Sequence, residues 1–178
     1  MSNLAKSAGL KKTPTVHAPM AAYKIGDKDK RPWGHYIVTG AGITNDGKEF
    51  CEKLITIKPF QVLSLHSHNL RQETWTVKEG KLIALCDGLR LDIPAGETIR
   101  IPMGSIHCMA NMSNEDCIVE ERQEGICREG DIRRYMDVYC RSTEKLFSPI
   151  ASESFIAYRA IVMGINKTKM SRAQSVSH

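Results

Sequence analysis

Two short motifs limit the folds open to this chain. The first reads His66-Ser67-His68, four residues, Glu73, six residues, Gly80; the second reads Gly96, five residues, Pro102-Met103-Gly104, two residues, His107, three residues, Asn111. Side chains alternate faces along a strand, so His66 and His68 point the same way, roughly 7 Å apart along the backbone. Glu73 lies an odd five positions after His68. The chain must therefore turn through Asn69-Leu70-Arg71-Gln72 and return on the neighbouring strand, where Trp75 and Val77 share the inward face of Glu73. His107 follows a Pro-Met-Gly turn that starts a new strand, with Met109 and Asn111 on its face. The expected result is a metal site of His66, His68, Glu73 and His107 inside an apolar barrel, with one or two coordination positions left open. Three imidazoles and a carboxylate suit one divalent ion: iron, manganese, zinc, nickel or cobalt.

The rest of the pattern is all-β. Short runs separated by Gly, Asn, Asp and Pro predict strands at 35–39, 50–57, 62–68, 73–78, 81–86, 89–93, 98–101, 106–111 and 116–123, the spacing of a sandwich or barrel. Residues 1–29 read as a flexible leader, 30–141 as the barrel, and 142–178 as a helical extension and tail. In that extension Ser152 is expected to cap a short helix through Phe155, Ile156, Tyr158, Ile161 and Met163. Leu63 and Leu65 fall opposite the ligand face on the predicted strand 62–68. An apolar outer face needs a cover, either this helix or a second subunit in a homodimer.

Composition excludes several classes. No run of 18 or more apolar residues occurs, so no membrane span is expected, and Met1 to Ala22 lack the apolar stretch of a secretory signal. The net charge of +5 is dispersed. No basic motif interleaved with aromatics accompanies it, which argues against a nucleic-acid partner. Six cysteines without a Cys-x-x-Cys pair predict free thiols in a reducing cytoplasm.

The two motifs are those of the cupin superfamily, which implies a double-stranded β-helix, or jelly-roll barrel. Further runs narrow the resemblance: Arg31-Pro32-Trp33-Gly34-His35-Tyr36, Lys53-Leu54-Ile55-Thr56-Ile57-Lys58-Pro59, Leu63-Ser64-Leu65, Arg71-Gln72-Glu73-Thr74-Trp75, Glu121-Arg122-Gln123-Glu124-Gly125 and Asp131-Ile132-Arg133-Arg134-Tyr135. In this order they resemble type II mannose-6-phosphate isomerases over about residues 30 to 141. There the module often forms the C-terminal part of a larger guanylyltransferase–isomerase; here it is expected as the stand-alone isomerase module. The chain departs from that pattern at His66 (usually Gln), Thr74 (usually His) and Phe60 (usually Gly).

The resemblance implies reversible conversion of mannose 6-phosphate to fructose 6-phosphate through an enediolate. A metal ion would act as Lewis acid, and a base would carry the proton between C2 and C1. Glu121 is the candidate base, because Val119, Glu121 and Gln123 share a strand face; a solvated surface glutamate is the alternative. Lys53, on the face of Ile55 and Ile57, is a second candidate for pocket chemistry. For the phosphate, Arg71 stands between two ligands in sequence, with Arg31 and Lys58 as further cations. Two other readings share these residues: a metal-dependent cupin oxygenase or decarboxylase, and a sugar-binding cupin without chemistry.

Overall fold

Strict alternation of burial along three long strands builds one wall of the protein, whose computed structural model describes residues 23–175. The three are β3 (Glu49–Ile57), β6 (Arg71–Glu79) and β11 (Cys117–Gly125), each turning every second side chain inward over most of its length. With β1 (Lys28–Arg31), β2 (Gly34–Ile43) and β9 (Thr98–Ile101) they form an antiparallel sheet in the order β1-β2-β3-β11-β6-β9. The facing sheet runs β12 (Arg133–Met136), β5 (Leu65–Ser67), β10 (His107–Asn111), β7 (Lys81–Cys86) and β8 (Leu89–Pro94), with β4 (Gln61–Val62) also on β10. Ile55, Ile57, Trp75, Val77, Leu82, Ala84, Met109 and Val119 fill the space between the sheets. This is the cupin jelly roll that the motifs imply.

The facing sheet is buried on both sides. Ile83, Leu85, Cys108 and Ala110 turn outward from β7 and β10 and join a second core with Ala151, Tyr158, Ile161 and Ile165 of α1 (Pro149–Ser175). Strands covered on both faces read as continuous apolar runs, as Leu82-Ile83-Ala84-Leu85 does. The helix starts where Ser148 Oγ accepts the Ala151 N–H at 3.0 Å, with Pro149 in the first turn, where its missing N–H costs nothing. Its buried side chains recur every three or four residues, the spacing of one helix face. Tyr158 donates its hydroxyl to the Leu63 carbonyl at 3.1 Å. Replacing Ile161 with alanine should therefore cost about 2–5 kcal/mol of stability, read as a lower urea midpoint with an unchanged slope.

Several expectations change here. The helix begins one turn before Ser152, whose hydroxyl instead donates to the Ser148 carbonyl. Ile156 and Met163 are 69% and 70% exposed, so they lie off the packed face. The predicted strand 62–68 is broken at Leu63-Ser64, where the Leu63 N–H donates to the Met109 carbonyl. That break turns Leu63 into the inner core while Leu65 stays outside under α1. The apolar outer face, for which either the helix or a second subunit is expected as cover, packs against α1. Residues 23–29 belong to the fold, since β1 pairs with β2; the leader expectation for residues 1–22 lies outside the described residues. β1 and β12 went unpredicted because each is four residues long with two or more charges and no apolar alternation. All six cysteines are free. Among the described residues no helix is long and apolar enough to cross a membrane.

Candidate metal centre

The antiparallel register of the facing sheet sets His66 directly opposite His107. His68 follows the end of β5. The ring centroids are 4.4 Å apart for His66 and His107, 5.0 Å for His66 and His68, and 5.4 Å for His68 and His107. One nitrogen from each ring lies within 4.8 Å of the other two. The Nδ1–H groups are spoken for by backbone carbonyls: His66 donates to Ser64 at 2.7 Å, His107 to Ser105 at 2.8 Å, and His68 to Asp131. That fixes the tautomers and leaves three Nε2 lone pairs converging. His107 Nε2 is buried without a hydrogen-bond partner. Arg71 Nη2 donates to His68 Nε2 at 3.0 Å, which requires that nitrogen to be an acceptor. Burial pushes His66 far below the ordinary imidazole range, lowers His107, and takes His68 down to about 3. Neutral, oriented imidazoles aimed at one point are the donor set a divalent cation needs, so the residues fit the ion the fold implies.

Glu73 faces them from the other sheet. Its Oε1 is 3.3 Å from His68 Nε2 and its Oε2 is 3.6 Å from His107 Nε2. The chain does turn between His68 and Glu73, but it crosses to the opposing sheet rather than to the neighbouring strand. Two features hold the crossing. The Asp131 carboxylate accepts the N–H groups of Asn69 and Leu70 at 3.1 and 3.0 Å. Gly125 packs where a Cβ would come within 2.3 Å of the Leu70 carbonyl, at a φ of 128° that side-chain-bearing residues rarely adopt. Trp75 Nε1, Arg71 Nε and Gln123 Nε2 all donate to the Glu73 carboxylate, at 3.0, 3.2 and 3.3 Å. Burial opposes charge on Glu73, but His68, His107 and Arg71 outweigh it and hold the carboxyl well below its usual range. Because burial keeps the imidazoles neutral, the permanent guanidinium of Arg71 is the main support.

The same wall carries the acid–base candidates. Glu121 is register-paired with Lys53 on one side and Trp75 on the other, and Gln123 with Cys51 and Glu73. Both Lys53 and Glu121 are buried, which removes the solvated-surface alternative for Glu121. Burial, followed by the charge of Glu73, raises the Glu121 carboxyl to about 8, against the opposing pull of Lys53 and Arg71. Lys53 Nζ lies 4.0 Å from Glu121 Oε2, 3.9 Å from the Tyr23 ring centroid and 4.7 Å from that of Tyr36. Lys53, Glu121 and Tyr36 line one cavity with His66, His68 and Glu73, together with Trp33, Ile55 and Leu63.

The cations predicted for an anion separate by position. Arg71 is buried beside the histidines; its Nε donates to Glu73 and its Nη1 to the Arg128 carbonyl, while its Nη2 donates to His68 Nε2, the nitrogen that a divalent ion would take. Lys58 is exposed and lies outside the cavity. Arg31 lines it, paired with Asp29 at 2.6 Å and Glu129 at 2.8 Å. The cation that sequence reasoning passed over is Arg134. β12 pairs it with His66, so it turns to the ligand face of the barrel, while Arg133 turns away to Glu144. Arg134 Nε is buried without a hydrogen-bond partner, and burial together with the neighbouring Arg141 lowers its pKa. The repeated Arg133-Arg134 shows the two-residue alternation, but without an apolar neighbour it gives no inward direction.

Residues 18–137 match the family described as Mannose-6-phosphate isomerase C-terminal. The alginate biosynthesis protein AlgA of Pseudomonas aeruginosa is 34% identical over 122 residues, which cover 68% of this chain and 24% of that protein. A mannose-1-phosphate guanylyltransferase of Escherichia coli K12 is 34% identical over 112 residues, covering 62% of this chain and 22% of the enzyme. The chain thus spans about a quarter of the length of the curated relatives it matches. Among solved structures, the capsular polysaccharide assembling protein CapF from Staphylococcus aureus superposes with a TM-score of 0.55 at 14% identity, over 65% of this chain and 33% of that one, a likeness of fold.

Proposed function

The chain belongs to the mannose-6-phosphate isomerase C-terminal family, and on that premise we propose that it is a metal-dependent sugar-phosphate isomerase interconverting mannose 6-phosphate and fructose 6-phosphate. One observation carries the reading. A buried carboxyl raised to about 8, Glu121, shares a cavity with His66 and His68, two of the three converging neutral imidazoles, and with a buried lysine, Lys53. Aldose–ketose isomerisation needs those parts together: a proton must leave carbon next to a carbonyl and return one atom away.

His66, His68 and His107 would hold a divalent ion through Nε2, with Glu73 completing the set; when bound, it supplies Lewis-acid polarisation of the sugar oxygens. Glu121 takes the proton from C2 and returns it at C1. A base with a pKa near the working pH balances the fraction ionised against proton affinity. Lys53 places a positive charge against the negative charge that develops on the sugar oxygen. Tyr23 and Tyr36 hold that ammonium from the side with their ring faces. Trp33, Ile55 and Leu63 keep the walls apolar, which strengthens each of these interactions.

The phosphate belongs with Arg134 in this reading. It lines the cavity and carries a buried N–H without a partner, and a planar cation suits phosphate. Arg134→Gln should raise the KM for mannose 6-phosphate by about 10–100-fold, the loss of a charge-assisted hydrogen bond, with metal content unchanged. An unaltered KM would remove Arg134 from this role.

The test of the function is a coupled assay of the metal-reconstituted protein with mannose 6-phosphate, run anaerobically. Turnover without oxygen is the expected result. Sugar-phosphate binding without turnover would make the chain a binding module, and activity confined to aerobic conditions would move it to the oxygenase reading.

A further inference from the structure

Gln123 is 1% exposed and sits between two carboxylates. Its Nε2 donates to Glu121 Oε2 at 2.7 Å and to Glu73 Oε1 at 3.3 Å, which uses both amide hydrogens. Its Oε1 is buried with no hydrogen-bond partner. Turning the amide over does not relieve this, because it would set the carbonyl against a Glu73 oxygen and leave the NH2 group without an acceptor instead. The orientation is therefore set by its neighbours, and the carbonyl is left as a buried acceptor on a residue that lines the cavity. Buried acceptors are ordinarily satisfied, so an orphan beside a binding cavity calls for a donor that arrives with the ligand.

The chemistry of the donor follows from the acceptor. An amide oxygen can only accept, so the group that meets it must be a donor, and the donors that a sugar phosphate carries are its hydroxyls. A neutral hydroxyl fits. We propose that Gln123 is a specificity-determining residue whose Oε1 accepts a hydrogen bond from a carbohydrate hydroxyl of the substrate, while its Nε2 holds the two carboxylates in place. This rests on the sugar-phosphate reading and names the ring hydroxyl as part of what the site selects. A deoxy sugar phosphate would leave the carbonyl unpaired in a dry wall, the situation in which a polar site rejects an analogue that lacks its hydroxyl.

The test is a binding cycle on the metal-loaded full chain, read by calorimetry and independent of turnover. Wild type and Gln123→Met are each titrated with mannose 6-phosphate and with its 3-deoxy and 4-deoxy analogues. One analogue should bind the wild type about tenfold more weakly than the parent sugar phosphate, and the same analogue should bind Gln123→Met as well as the parent does. A merely structural role for Gln123 would weaken all three ligands alike, leaving the effects additive; that result overturns the proposal. Gln123→Lys, which keeps N–H donors for the carboxylates and deletes the carbonyl, repeats the cycle should the Met variant fail to retain metal. Non-additive binding without isomerisation would uphold Gln123 while sinking the isomerase; turnover with additive effects would do the reverse. No measurable binding of mannose 6-phosphate to wild type would overturn both.

Discussion

His107→Ala is expected to abolish metal binding at stoichiometric concentration and to lower isomerase turnover on the order of 10³-fold or more. The expectation follows from how the three imidazoles are held. Each has its Nδ1–H tied to a backbone carbonyl, so none can swing to replace a missing partner. His107 lies at the centre of the arrangement: opposite His66 in register, 3.6 Å from Glu73 Oε2, and edge-on to Trp75 at 5.5 Å between centroids. Losing a hydrogen bond that merely orients a ligand costs about 10–100-fold in metal affinity, and losing the ligand should cost more. Metal analysis after dialysis reads the first effect and the coupled assay the second. His35→Ala, on the exposed face of β2, serves as the control. A His107→Ala protein that keeps one equivalent of metal and full turnover would dismantle the centre as described.

Glu121→Gln should leave metal content and sugar-phosphate affinity nearly intact while lowering kcat by about 10²–10⁴-fold, the range of a lost general base. The substitution keeps the size of the side chain and removes its capacity to take a proton. Gln123 Nε2 still finds an acceptor in the new amide carbonyl, so the wall can keep its shape. The effect should therefore appear in kcat rather than KM. A variant with wild-type kcat would pass the base role to another group, and a variant that raised KM alone would make Glu121 a binding residue.

These two tests differ in how visible their targets are in the sequence. His107 is found by spacing, since a Pro-x-Gly turn, two residues and a histidine start an inward face whatever the surrounding fold. Glu121 was found by parity with Val119, and parity is reliable on a strand as regular as β11. The same rule failed at Leu63, because a two-residue break in the strand reversed its side, and nothing in Val62-Leu63-Ser64-Leu65 marks the break. The helix start differs for another reason: Ser148-Pro149 and Ser152 both offer capping chemistry, and the earlier start is the one that carries Ala151 into the outer core. Arg71 does lie beside the ligands, but the partners of its Nε and Nη1 depend on where Glu73 and residue 128 arrive.

Strand parity, turn chemistry and motif spacing act within a dozen residues, so the β-barrel class, the inward direction of His66, His68, Glu73 and His107, and the shared face of Lys53 with Ile55 were all readable from the chain. Register between strands far apart in sequence is a non-local choice made by packing. It set β12 against β5, bringing Arg134 beside His66 across 68 positions, and laid Gln123 against Glu73 across 50. Those pairings leave Arg134 Nε and Gln123 Oε1 buried without a partner, because a buried polar group is defined by the partners its fold denies it.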